Sequence, residues 1–201
     1  VINSISSSAV DVNVTLAGDN SQIYTQSGTS RGIRTQATGT GTANTTVTLD
    51  GDTANILTLN TFSDAIYSAS STGSTTVTLS LNGDNSYVET RSTSSTGISN
   101  SGGAGTATTN VTMAGDDTAI NVTGNLGSSN GAIRTQSSGN TFTTVNMTGA
   151  RSQIYSQVVG DGILTVASGA ATIDIDLDGD DSQIYTRGTD SEGINLSLIH
   201  I

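Results

Sequence analysis

Apolar residues recur at fixed places along this chain, with polar residues between them at intervals of two. Aligning it on Gly18, Gly51, Gly83, Gly115, Gly149 and Gly179 gives spacings of 33, 32, 32, 34 and 30 residues. Five residues after each glycine stands an aliphatic: Ile23, Ile56, Val88, Ile120, Ile154 and Ile184. Two before each come Leu16, Leu49, Leu81, Met113, Met147 and Leu177, and two before those Val14, Val47, Leu79, Val111, Val145 and Ile175. A third segment holds Ile33, Ile66, Ile98, Ile133, Ile163 and Ile194, each preceded by a small residue. Period-two alternation sends successive side chains to opposite faces, so each repeat predicts three short strands separated by polar turns. Like residues returning at this period predict an all-β fold, a three-sided parallel β-helix (β-solenoid) of about six coils of 30–35 residues. A sandwich of hairpins is the competing arrangement, but only stacked parallel coils require like to fall on like.

The alternation also predicts which side chains face inward. Val47 and Leu49 point in and Thr46 and Thr48 out; Ile23 and Thr25 share the inner face of the next segment. The column Thr25, Thr58, Thr90, Val122, Ser156, Thr186 is expected inside, its hydroxyls bonding along the column. The column Tyr24, Leu57, Glu89, Asn121, Tyr155, Tyr185 varies in chemistry and is expected to face solvent. The marker glycines are expected to line one edge, giving the corner its backbone freedom, with the following Asp and Ser closing the turn. The extra residues of the fourth repeat fall between Gly124 and Gly131 and predict a longer turn there. At the corner, Arg151 replaces the polar or acidic residue found elsewhere and is expected to pair with Asp117 or Asp181 on a neighbouring coil.

Composition changes this picture in two ways. Leu, Ile, Val and Phe number 43 of 201 residues, about 21%, too few for one thick core but enough for a thin column repeated along an axis. The chain has no Pro, Cys, Trp or Lys, and six Arg stand against 17 carboxylates, a formal charge of −11. A surface of that sign repels phosphate backbones, so no nucleic-acid partner is expected. There is no run of 18 apolar residues, so no direct membrane insertion is expected either.

The pattern Val-Thr-Leu-x-Gly-Asp, then Gln-Ile-Tyr-Thr (Gln22 to Thr25 and Gln183 to Thr186), then Gly-Ile-Arg-Thr (Gly32 to Thr35), resembles autotransporter (type V secreted) passenger domains and bacterial surface-adhesin repeats. The likeness spans about residues 10–195 and is one of repeat style. It implies a structural or adhesive stalk segment of an exported bacterial surface protein, secreted or held at the cell surface. Outer-membrane anchoring would come through a region outside this sequence. The implied partners are glycans or surfaces, besides the neighbouring coils of the same chain.

Candidate chemistry is sparse. The only His is His200, so a Ser/His/Asp hydrolytic site has no base, and neither an enzyme nor a cofactor is expected. A polysaccharide-active β-helix, a lyase or glycoside hydrolase, is the alternative reading, because such enzymes draw on Asp clusters and Arg. Asp174, Asp176, Asp178 and Asp180 form the densest acidic patch, and oxygen-rich clusters suit calcium; a solvated acidic ridge that keeps the stack soluble is the preferred account. Outward Thr46/Thr48, Thr78/Ser80, Asn110/Thr112 and Thr144/Asn146 resemble the ladders of ice-binding solenoids, a further minor alternative, although β-propensity alone favours Thr there. Exposed Tyr24, Tyr155 and Tyr185 are candidates for stacking on sugars.

Two residues past each third-segment Ile lies a small polar residue, Thr35, Ser68, Asn100, Thr135 or Thr165, until Leu196 takes that slot. From there the inner face is not expected to continue in register. The tail Leu-Ser-Leu-Ile-His-Ile resembles the translation of a transposase adapter used in shotgun sequencing. Residues 1–195 are therefore expected to be a segment of a larger passenger, and 196–201 a non-native tail.

Overall fold

The computed structural model describes residues 1–26, 30–59, 61–91, 93–124, 131–157, 159–189 and 191–198. Among these residues, nineteen strands wind into three parallel sheets. Sheet A holds β1 (Ile2–Ser6), β4 (Ile33–Ala37), β7 (Ile66–Ser70), β10 (Ile98–Gly102), β13 (Gly131–Ser137), β16 (Asp161–Ala167) and β19 (Ile194–Leu198). Sheet B holds β2 (Val10–Leu16), β5 (Ala43–Leu49), β8 (Thr75–Leu81), β11 (Ala107–Met113), β14 (Thr141–Met147) and β17 (Ala171–Leu177). Sheet C holds β3 (Gln22–Thr25), β6 (Asn55–Thr58), β9 (Tyr87–Thr90), β12 (Ala119–Val122), β15 (Gln153–Ser156) and β18 (Gln183–Thr186). Strands pair with those one coil before and after, so Val47 lies between Val14 and Leu79, and Ile56 between Ile23 and Val88. This is the three-sided parallel β-helix of about six coils that the repeat predicts.

Parallel stacking turns the sequence columns into a core. Leu49, Ile56, Leu81, Ile98, Met113, Ile120, Ile133 and Met147 are fully buried in one axial cluster. The interior corner between sheets A and B is polar instead. There Thr45 donates to Thr35 (2.8 Å), Thr135 to Thr109 (2.8 Å), Thr143 to Thr135 (2.9 Å), and Asn100 Nδ2 to Thr109 (3.0 Å). Bonds across this corner explain why the slot two residues past each Ile is small and polar: a buried hydroxyl needs a partner. Thr25 and Thr58 of the inner column behave differently from expectation. Thr25 donates to the Ser30 carbonyl (3.3 Å) and Thr58 to the Ser63 carbonyl (2.8 Å), so these hydroxyls fasten the next turn and do not bond along their own column.

The marker glycines do stack along one edge, but for a different reason than backbone freedom. A Cβ on Gly51, Gly83, Gly115, Gly149 or Gly179 would lie 2.0–2.4 Å from the carbonyl oxygen of the preceding marker glycine. These glycines admit the close approach of neighbouring coils. The left-handed conformation falls two residues later, at Asn20, Thr53, Asn85, Asp117, Arg151 and Asp181, with φ between 55° and 59°. Asn and Asp tolerate that region best; the branched Thr53 does not, and it gains a hydrogen bond to Asn20 Oδ1 (2.8 Å). Nor do the corner aspartates close their own turns. Asp19, Asp52 and Asp84 each accept from the backbone N–H of the next aspartate (3.1, 3.0 and 2.9 Å), and Asp116 from Ala150 N–H (2.9 Å), so one carboxylate hooks each of the first four corners to the next, and Ala150 ends the series. The serines do act within the turn, as where Ser86 Oγ donates to the Gly83 carbonyl (2.7 Å).

Two further expectations change. The strand count in sheet A is seven among the described residues, because β1 precedes the first full repeat. The inner face also continues past Asn195: β19 pairs in register with β16, setting Leu196 beside Thr165 and Leu198 beside Ala167. Leu196 is 48% exposed, with no further coil over it among the described residues. His200 and its neighbours Ile199 and Ile201 lie outside the described residues, as does most of the fourth-repeat insertion, 125–130.

Candidate binding face

Sheet C turns three short columns of side chains outward, and the expectation that the middle one faces solvent fails at two positions. Tyr24 and Tyr185 are about 40% exposed, yet Leu57 and Glu89 are buried to 8%. Leu57 lies between Tyr24 and Glu89 on the adjoining coils. Glu89 lies flat along the strand and accepts both hydrogen bonds of a bidentate pair with Arg91 (2.7 Å to Nε, 3.0 Å to Nη2). Such forked pairing fixes both side chains better than a single contact does.

The next coil is small where its neighbours are large. Register sets Ala119 between Tyr87 and Gln153, and Asn121 between Glu89 and Tyr155. The result is a transverse notch of about 370 Å³ lined by Asn85, Tyr87, Glu89, Arg91, Asp117, Ala119, Asn121 and Gln153. Asn121 Oδ1 is buried with no hydrogen-bond donor, so its amide can turn toward a ligand without breaking a bond at that atom. At the rim, Arg151 donates to both oxygens of Asp117 (2.8 and 2.6 Å), the pairing expected from the corner column. Those hydrogen bonds, and the guanidinium charge behind them, hold the Asp117 carboxyl below the usual carboxylate range. Farther along the face, the Tyr155 and Tyr185 rings stack with centroids 5.6 Å apart, and Arg187 donates to Tyr185 Oη (2.8 Å).

Of the sequence candidates, Tyr155 and Tyr185 come together, while Tyr24 stands on the first coil, away from them. Tyr87, Glu89, Asn121 and Gln153 emerge only from the structure. Their signal lies across a coil, where Ala119, Asn121 and Thr123 are all small, whereas the columns had been followed along the axis. The hydroxyl ladder of sheet B lies outward as expected, and the column flanking it is mixed, with Asn44 tied to Asp11 (2.7 Å) and Phe142 beside Thr108.

Asp174 and Asp176 share the outward face of β17, with Asp178 just beyond and Asp180 at the corner. Among the described residues, no three carboxylate, His or Cys side chains gather to hold a metal ion. The like charge of Asp178 is the main cause that raises the Asp176 carboxyl above its ordinary value, with burial and Asp174 adding to it. A raised folded-state value means the protonated form is favoured on folding. Its stabilisation is present in acid and lost as pH rises through the folded value. Asp176→Asn is therefore expected to raise the melting temperature at pH 7 and to change it little at pH 3. Asp117 has the opposite sign: its stabilisation is present above the ordinary carboxylate range and fades as pH falls through its lowered value. Arg151→Gln is expected to destabilise at pH 7 and to matter less in acid. Melting curves of both variants across pH 3–7 check the two signs together.

No family model, curated protein or solved structure matches this chain.

Proposed function

We propose that this chain is a stalk segment of an exported bacterial surface protein, and that it adheres to glycans through the notch on sheet C. The observation that supports the stalk is the regularity of the coils. Each returns in register with the last, the first four coils are hooked to the next by corner carboxylates, and the interior coils add like increments of core. Stability that accumulates by nearest-neighbour stacking suits a rod whose length is set by repeat number. The adhesive part rests on the notch. Tyr87 supplies a ring wall, and Glu89, Asn121 and Gln153 supply acceptors and amide donors of the kind that meet a sugar's hydroxyls.

The enzyme alternative would need a carboxyl that holds a proton near neutral pH. Of the two carboxylates lining the notch, Glu89 gives both oxygens to Arg91, and Asp117 is held ionised by Arg151. Both arrangements favour binding over proton donation. A glycan array tests the reading. Wild type is expected to retain specific neutral glycans, with Tyr87→Ala and Asn121→Ala each losing at least tenfold in affinity and Thr46→Val on sheet B unchanged. Retention of no glycan, or equal retention by all four proteins, overturns the adhesive reading.

A further inference from the structure

The outward face of sheet A carries a cluster of opposite charge to the molecule. Three of the six arginines, Arg31, Arg34 and Arg134, lie on or beside it. Register places Arg34, Tyr67, Ser99 and Arg134 in one column on four successive coils. The two column arginines are therefore three strand spacings apart, about 14 Å. Arg31 lies over the Tyr67 ring, 3.8 Å from its centroid, and is neutralised by Asp64 at 3.3 Å. Asp64 in turn accepts from Thr96 N–H and Oγ1 (both 2.8 Å).

Arg34 and Arg134 have no such compensation. Among the described residues neither lies within 4 Å of a carboxylate, and each instead donates Nη2 to a neutral amide, Gln36 and Gln136 respectively. The Nε of each is buried without an acceptor. A guanidinium taken partly out of water with no counter-charge leaves desolvation uncompensated, and burial does push Arg134 below its ordinary value against the pull of Asp64 and Tyr67. Side chains held this way gain when an external anion arrives, because the positioning cost has already been met within the fold. Between them Ser99 is small and buried, 7% exposed, and stands beside Tyr67. A hollow of about 170 Å³ lined by Arg31, Arg34, Ser30 and Asn3 opens at one end of the column. One of about 290 Å³, lined by Gln136, Ser101, Ser137 and Val166, opens at the other.

We infer that this face of sheet A is a second binding site, taking a linear acidic polysaccharide whose carboxylated sugars meet Arg34 and Arg134 and whose intervening neutral stretch passes over Ser99, beside the Tyr67 ring that Arg31 covers. Two uncompensated charges about 14 Å apart match a sparsely charged polymer. A nucleic acid carries phosphates far more densely and would meet the net charge of −11 around the site. The site is separate from the notch on sheet C, so either can fail alone.

Hyaluronan oligosaccharides, which alternate carboxylated and neutral sugars, serve as the probe, with dextran, free glucuronate and single-stranded oligothymidylate as comparisons. Titration calorimetry at low salt is expected to show binding of hyaluronan only, weakening as salt rises. Arg34→Gln and Arg134→Gln should each lower the affinity at least tenfold, with Arg187→Gln on sheet C without effect. Circular dichroism confirms the fold of each variant, and the salt series on the unaltered chain stands even where a variant does not fold. Absence of hyaluronan binding overturns the inference. So does equal binding of dextran, glucuronate or the oligonucleotide, insensitivity to salt, or full affinity in both arginine variants.

Discussion

Gly115→Ala is expected to destabilise the chain by about 3 kcal/mol, the upper end of the cost of overpacking a tightly fitted interior. The added Cβ would lie 2.4 Å from the Gly83 carbonyl oxygen and 2.7 Å from its carbon. Both are backbone atoms, so no side-chain rotation relieves the clash, and two coils must separate along the corner. That separation would also stretch the hook from Asp84 to Asp116 N–H. The internal control is Gly18→Ala. There the Cβ meets only the Ser21 hydroxyl at 3.1 Å, because Gly18 has no marker glycine before it, and the expected change is within about 0.5 kcal/mol. Chemical denaturation of the two variants separates crowding from conformational preference, since neither glycine has a positive φ. Equal loss at both sites would refute the stacking account.

The second large effect is expected from the core column. Ile120 is fully buried between Val88 and Ile154, and Ile120→Ala should cost about 2–4 kcal/mol through lost burial and the cavity left behind. Ile184 occupies the same place in the last described coil of sheet C, is only partly buried, and has a neighbour on one side. Its replacement by Ala is expected to cost less than half as much. In a compact domain, position along the chain would not order the two in this way; in a linear stack, interior coils have two interfaces and terminal ones have one. Calorimetric unfolding of both variants decides the point.

How much of this was legible in the sequence depends on direction. Along the axis, parallel pairing puts like residues on like, so Ile23, Ile56, Val88, Ile120, Ile154 and Ile184 announce both the fold and the core. The Arg151–Asp117 pair was readable for the same reason, as one odd charge in an otherwise regular column. Across the surface the rule fails. Leu57 lies between the long side chains of Tyr24 and Glu89, and Glu89 folds onto Arg91 of its own coil, a matter of size and rotamer that period-two alternation does not carry. The notch likewise exists through what Ala119 and Asn121 lack relative to Tyr87 and Tyr155. The roles of the corner residues were inverted because a glycine next to a turn suggests conformational freedom. Here the chain bends at Asn20 and its counterparts, and the glycine serves close approach.

The backbone hydrogen bonds of all three sheets run along the axis of the solenoid, joining each coil only to the one before and the one after. A tensile force applied at the two chain ends would therefore not shear many bonds at once. It would peel the outermost coil strand by strand, breaking a few bonds at a time while the remaining coils stay intact. A coil of 32 residues, the commonest spacing of the marker glycines, releases a contour length of about 110 Å when drawn out. The chain would yield in steps at modest load, each absorbing work and each able to wind back onto the exposed edge that templated it.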